Sequence, residues 1–103
     1  MADLTTRMRD LGLEPGGWQN RPGERYGAHD HPYDKVVVVE RGSIRFGLAA
    51  TRETIELAPG DRLDLPAGTS HDALVGSTGV ACLEAHLAAG SLVGPVRRPS
   101  GSW

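Results

Sequence analysis

The sequence is poor in cysteine and in aromatic residues. Its 103 residues include one cysteine, two tryptophans, two tyrosines and one phenylalanine. A single thiol cannot close an internal disulfide, which is typical of proteins that remain in a reducing cytoplasm. With so few aromatic side chains, the hydrophobic core has to be mainly aliphatic.

Strong net charge and long apolar runs are also absent. The net charge of −2 gives no electrostatic reason to expect binding to nucleic acid or to an anionic membrane surface. Apolar runs such as Val36–Val39 span four residues, whereas a bilayer needs about 20. The N-terminal stretch MADLTTRMRDLG contains acidic residues and no apolar segment of the kind found in secretory signals. We therefore expect a cytoplasmic protein that binds neither nucleic acid nor membranes.

Glycine and proline are abundant, with 14 and 7 copies, and they divide the chain into short pieces. A helix is predicted at about 3–11, where Asp3 can cap the N-terminus and Gly12 can end the helix. The length of the chain predicts one domain over 1–103, with a core at about 17–87 and a C-terminal tail at about 88–103. The tail is either an edge strand with a frayed end or an arm that reaches a partner.

Short segments between turn signals predict about eight strands. Alternating polar and apolar residues, as in Thr54–Leu57 and Arg62–Leu65, are typical of half-buried antiparallel strands. Evenly spaced short strands indicate an all-β sandwich or barrel. The predicted strands are Gly17–Asn20, Lys35–Glu40, Ser43–Leu48, Thr54–Leu57, Arg62–Leu65, His71–Val75, Val80–Leu87 and Leu92–Val96.

Two histidines, His29 and His31, precede the valine run. On an extended chain they point the same way with Cα atoms roughly 6.5–7 Å apart, so both imidazoles can meet on one ion. The same alternation brings Tyr33 and Lys35 to that face. Histidine pairs of this kind also occur in loops near proline with no ligand, so the pair alone leaves both interpretations open.

A second segment, GDRLDLPAGTSHDALV, favours the metal interpretation. Its Pro-Ala-Gly corner fixes the backbone direction just before His71, which opens the next predicted strand. Three histidines from two strands form a ligand set that leaves coordination positions open for a substrate.

These two segments resemble the two motifs of the cupin superfamily. The first, G-x5-H-x-H-x3-4-E-x6-G, is matched at Gly23, His29, His31 and Gly42, and the second, G-x5-P-x-G-x2-H-x3-N, at Gly60, Pro66, Gly68 and His71. The resemblance implies a double-stranded β-helix, or jelly-roll barrel. It also implies a metal held at the barrel mouth by His29, His31 and His71, and a homodimer.

The chain departs from both motifs at one position each. Lys35 stands where the usual glutamate ligand belongs, and Val75 replaces the final asparagine. A protonated Lys35 about 5–6 Å from a divalent cation would cost roughly 1–3 kcal/mol. Three outcomes follow: a site of three histidines alone with Lys35 neutral or turned aside, a charged Lys35 that holds an anionic ligand, or a Lys35 paired with an acid in an inert pocket.

A carboxylate for that pairing can come from the strand around Cys82. Alternation brings Glu84 and His86 to one face, where Glu84 could neutralise Lys35 and His86 could extend the polar cluster. The alternative directs the apolar residues of this strand inward and leaves Glu84 and His86 in solvent. With Tyr33, these two residues are the candidate pocket residues.

Two classes of function are compatible with these residues. The first is a small metal-binding cupin, as the resemblance implies, with Fe, Mn, Ni, Zn or Cu on the three histidines. It would act as a dioxygenase or isomerase on a small, anionic organic molecule, with Lys35 as the catalytic base or carboxylate anchor. The second is a non-catalytic binding or sensor module in which Lys35 holds an anion without metal.

Overall fold

The computed structural model describes residues 3–103, which form seven strands and one short helix. The all-β prediction with an N-terminal helix is confirmed. The strands share one antiparallel sheet in the order β1-β6-β3-β5-β7, with β2 added beside β6 and β4 beside β3. The elements are α1 Leu4–Asp10, β1 Gly16–Asn20, β2 Arg25–His29, β3 Asp34–Leu48, β4 Thr54–Leu57, β5 Arg62–Leu65, β6 His71–Leu87 and β7 Val96–Arg98.

Helix α1 begins and ends as its sequence predicts. The side chain of Asp3 accepts a hydrogen bond from the backbone N–H of Thr5, which satisfies one of the free donors of the first turn. Gly12 adopts φ +81°, a conformation that costs glycine little and other residues more. Met8 is fully buried against the sheet, so packing on the barrel holds the seven-residue helix in place. No helix within residues 3–103 is long and apolar enough to cross a membrane.

The two longest strands, β3 and β6, pair over almost their whole length and form the middle of the fold. The sequence predicts two separate strands for each of them, and this is wrong. Gly42 lies opposite Val80, where the register of the β3–β6 ladder shifts. The glycine therefore marks a β-bulge that bends the strand and does not end it.

Strand β2 and the end of the tail also differ from the prediction. Arg25–His29 is mostly exposed, and its sequence lacks the apolar alternation that reveals a strand. In the tail, the strand is Val96–Arg98, which pairs with β5, whereas Leu92 lies before the strand and packs against the sheet.

The valine run Val36–Val39 is buried on both sides of β3, which accounts for its lack of alternation. Val37 and Val39 face the interior of the barrel, in an inner core, and Val36 and Val38 face α1 and the tail, in an outer core. The inner core comprises Val37, Val39, Ile44, Phe46, Leu48, Leu57, Leu63, Leu65, Ala73, Val75, Val80 and Cys82. The outer core comprises Met8, Leu13, Val36, Val38, Leu83 and Ala85.

Candidate metal centre

The three histidines come from two strand ends and one loop. His29 is the last residue of β2 and lies opposite His71, the first residue of β6. His31 lies in the connection to β3, where its carbonyl accepts a hydrogen bond of 2.9 Å from the N–H of Gly68. This bond joins the two histidine-containing segments, so the corner before His71 also fixes the loop that bears His31.

The imidazole rings converge on one point. The ring centroids lie 4.5 Å apart for His29 and His71, 4.9 Å for His29 and His31, and 5.4 Å for His31 and His71. One nitrogen from each ring lies within 4.8 Å of the other two. This spacing suits a shared ion, since metal–nitrogen bonds of about 2.0–2.1 Å draw their donor atoms within a few ångströms of one another.

Backbone hydrogen bonds fix the tautomer of two of these rings. Nδ1 of His29 lies 2.7 Å from the carbonyl of Gly27, and Nδ1 of His71 lies 2.8 Å from the carbonyl of Thr69. A carbonyl only accepts, so Nδ1 carries the proton in each ring and Nε2 keeps its lone pair. This is the arrangement by which outer groups orient histidine ligands of metals.

The remaining nitrogens fit a metal ion. Nε2 of His31 and Nε2 of His71 are buried and have no hydrogen-bond partner, although such atoms are costly to leave unpaired. Burial lowers the pKa of both rings, and for His31 the charge of Lys35 lowers the pKa further. Both imidazoles are therefore favoured in the neutral form that binds a divalent transition metal.

Lys35 is paired with Glu84 next to this cluster. Nζ of Lys35 lies 3.1 Å from Oε1 of Glu84, and their side chains are 12% and 20% exposed. Nε1 of Trp18 donates to the same carboxylate oxygen at 3.0 Å, and Nε2 of His86 donates to Oε2 at 2.6 Å. The sequence left open whether Glu84 faces Lys35 or solvent. In the structure, its side chain faces Lys35.

The carboxylate of Glu84 is held in its ionised form. Burial alone would raise the pKa of Glu84, but the hydrogen bond from His86 and the charge of Lys35 outweigh this effect and lower the pKa. Tyr33 lies between two rings, at 4.9 Å from His31 and 4.0 Å from His86. Its neighbour Asp34 faces elsewhere and accepts backbone hydrogen bonds from Ala67 and Leu92.

A cavity of about 270 Å³ opens beside the cluster. Its wall combines two of the three histidines and the Lys35–Glu84 pair with an apolar side. Tyr33 and His86, two of the residues predicted to line the pocket, are not part of this wall. The wall residues are Trp18, Gln19, Asn20, Tyr26, His29, Lys35, Ile44, Phe46, His71, Ala73 and Glu84.

Sequence reasoning missed the contributions of β1 and the middle of β3. Trp18 donates a hydrogen bond to Glu84, and Asn20 lines the cavity. Because Trp18 and Asn20 are two residues apart on a strand, alternation could have predicted that they share a face. Ile44 and Phe46 form part of the apolar wall. Cys82 is fully buried in the inner core, and burial raises its pKa to about 12, so it remains a thiol.

Several solved structures resemble this chain, whereas no family model and no curated protein matches it. A variant of the oxalate decarboxylase of Bacillus subtilis aligns at 20% identity over 84% of this chain and 24% of its own, with a TM-score of 0.63. A cupin superfamily protein from Desulfitobacterium hafniense aligns at 20% identity over 74% of this chain and 67% of its own, with a TM-score of 0.64. The chain has the cupin fold.

Two further matches have the same fold. Another structure of the Bacillus subtilis enzyme is described by its Mn(II) centres. A protein of unknown function from Rhizobium leguminosarum aligns at 20% identity over 76% of this chain and 73% of its own, with a TM-score of 0.66. This chain spans about a quarter of the decarboxylase chain, 24%, so the likeness concerns one part of a longer protein.

Proposed function

We propose that this cupin binds a divalent transition metal through His29, His31 and His71 and acts on a small organic molecule, as a dioxygenase or isomerase. The observation that supports this most directly is the set of buried imidazole nitrogens that converge without hydrogen-bond partners. Two of the rings are already oriented by backbone carbonyls, so little rearrangement is needed to bind an ion.

The proposed substrate is a small anion with an apolar body. Three neutral histidines leave the charge of a divalent ion uncompensated, and the charges of Lys35 and Glu84 balance each other. An anionic group of the substrate would provide the missing negative charge. The rest of the molecule would pack against Ile44 and Phe46 in a cavity of about 270 Å³, slightly below the ~300–1,000 Å³ of pockets for drug-sized ligands.

The metal, Lys35 and Glu84 would each have a separate role in the reaction. When bound, the metal supplies Lewis acidity and, for a redox-active ion, access to oxygen chemistry. Lys35 would hold a proton at Nζ next to the substrate, where it can donate to a carboxylate or exchange that proton with the reacting carbon. Glu84, fixed by Trp18 and His86, would keep Lys35 directed toward the cavity.

The second candidate function is a metal-free sensor that holds an anion on Lys35. The observation in its favour is that Lys35 lines the cavity, with a side chain only 12% exposed. Its charge is already engaged by Glu84, however, so an anion would have to compete with a buried carboxylate for the same ammonium group.

Metal content decides between the two candidates. Tag-free protein is analysed by mass spectrometry as purified, and then titrated in its metal-free form with Mn²⁺, Fe²⁺, Ni²⁺, Zn²⁺ and Cu²⁺. We expect close to one ion per chain, loss of that ion in His71→Ala, and retention in Asp72→Asn, which changes the exposed neighbour of His71. Absence of binding by all five ions, or full binding by His71→Ala, would refute the proposed site.

The homodimer implied by the resemblance remains a proposal. Light scattering coupled to size-exclusion chromatography tests it, with an expected mass of twice the 10.9 kDa of the chain. A mass of one chain at micromolar concentration would contradict it.

A further inference from the structure

The three candidate ligands are not held in the same way. His29 and His71 each donate from Nδ1 to a backbone carbonyl two residues earlier in the chain. For His31, the structure of residues 3–103 shows no such bond from a ring nitrogen. His31 also lies in a loop rather than at a strand end, so neither the ladder nor a hydrogen bond sets the direction of its ring.

For His31, an aromatic stack takes the place of the hydrogen bond that orients the other two rings. The ring of Tyr33 lies 4.9 Å from that of His31 with an interplanar angle of 10°. His86 also stacks on Tyr33, with the ring centroids 4.0 Å apart and an interplanar angle of 19°. Near-parallel rings at these distances attract each other, and a ring stacked against two others has little freedom to rotate.

The outer ring of the stack is itself fixed. Nε2 of His86 donates to Glu84 at 2.6 Å, and Glu84 is held in turn by Lys35 and Trp18. A continuous set of contacts therefore runs from Lys35, the residue that replaces the usual glutamate ligand, through Glu84, His86 and Tyr33. It ends on the imidazole of His31.

We propose that Tyr33 is the positioning residue for His31, clamped by His86, and that this stack substitutes for the hydrogen bond that orients the other two ligands. The inference rests on the proposed metal site. Lys35 is not a ligand in this proposal. Through Glu84 it anchors the stack that directs His31 toward the ion. The phenol hydroxyl has no part in this role, which belongs to the ring.

Metal affinity of ring variants tests the inference without any need for a substrate. The metal-free wild-type protein, Tyr33→Leu and Tyr33→Phe are titrated with Zn²⁺ against a chelator of known affinity, and with Co²⁺ to record the visible spectrum of the bound ion. Tyr33→Leu removes the stack, so we expect Zn²⁺ affinity to fall about 10- to 100-fold, the usual effect of losing an outer group that orients a ligand. Tyr33→Phe keeps the ring and should retain affinity within about threefold, with an unchanged Co²⁺ spectrum.

A control outside the site and a second variant support the test. Val93 is fully exposed and does not line the cavity, so Val93→Ala should leave Zn²⁺ affinity unchanged. If Tyr33→Leu does not fold, as judged by melting of the metal-free protein, His86→Ala removes the clamp while keeping Tyr33. It should weaken Zn²⁺ binding in the same direction.

The outcomes separate the failure of this inference from the failure of the metal site. Wild-type protein that binds no ion would refute the site itself. Wild-type binding with equal affinity in Tyr33→Leu would overturn the positioning role. So would an equal loss in Tyr33→Leu and Tyr33→Phe, which would assign the effect to the hydroxyl, and so would an equal loss in Val93→Ala.

Discussion

Nζ of Lys35 lies 3.1 Å from Oε1 of Glu84, on neighbouring strands and next to the three histidines. Lys35 thus occupies the position of the acidic ligand in the cupin motif. The carboxylate of Glu84, on the adjacent strand, neutralises its charge. Both side chains are mostly buried, so neither charge is well screened by solvent and removal of one exposes the other. This relationship makes opposite predictions for the two members of the pair.

Glu84→Gln should weaken metal binding, because the charge of Lys35 then stands uncompensated beside a cation. We expect Zn²⁺ affinity to fall by roughly 10- to 100-fold, measured by competition with a chelator. Lys35→Met is the matched variant. It leaves an uncompensated carboxylate beside the cation and should tighten binding, because Trp18 and His86 still hold Glu84 in place. Equal effects of the two variants would show that the metal does not sense the charge of this pair.

Lys35→Glu should restore the acidic residue of the motif and strengthen metal binding. It also sets two carboxylates against each other in a buried site, so the metal-free protein should lose roughly 1–3 kcal/mol of stability and regain it when the ion is added. Melting curves with and without Zn²⁺ measure both effects. The double variant Lys35→Glu/Glu84→Lys restores the pair in reverse and should relieve the loss in the metal-free form, and persistence of that loss would contradict the argument.

Acid sensitivity is expected at Asp34. The backbone N–H of Ala67 lowers the pKa of Asp34, and the N–H of Leu92 adds to this, against the opposing effect of burial. A pKa that is lower in the folded than in the unfolded state stabilises the fold above the unfolded pKa. That stabilisation is lost as pH falls below about 4. Asp34→Asn should therefore melt at a lower temperature at neutral pH and show a shallower loss of melting temperature in acid.

The exposed Asp10 provides the comparison for this prediction. Asp10→Asn should reproduce the wild-type profile of melting temperature against pH. If Asp34→Asn also reproduces that profile, the hydrogen bonds from Ala67 and Leu92 do not stabilise the ionised carboxylate.

Glycine is required at the bulge that joins the two halves of β3. Gly42 has φ +76°, and a Cβ there would collide with the carbonyl oxygen of Gly79. Gly42→Ala should therefore destabilise the protein by about 3 kcal/mol in urea unfolding. Gly16→Ala, at a position with open space around it, should stay within about 0.5 kcal/mol of wild type. Similar stability of the two variants would refute the steric argument.

Much of the fold could be predicted because the spacing of glycine, proline and histidine reflects backbone geometry. The four motif glycines, Gly23, Gly42, Gly60 and Gly68, all have positive φ, so the pattern that predicts the barrel records where the chain must turn or bulge. The helix could be predicted for the same reason, from Asp3 and Gly12. Strand β2 could not, since an exposed edge strand needs no apolar alternation.

The sequence by itself determined the all-β class, the short helix and the three histidines as a candidate set, because period, turn chemistry and motif spacing are local properties. Only the tertiary structure decided that Glu84 turns toward Lys35, that Tyr33 stacks between His31 and His86, and that Val36–Val39 is buried on both faces. Each of these depends on which strands become neighbours. Pairing between β3 and β6 joins residues that are tens of positions apart, and the face that a side chain takes is then set by what packs on either side of the sheet.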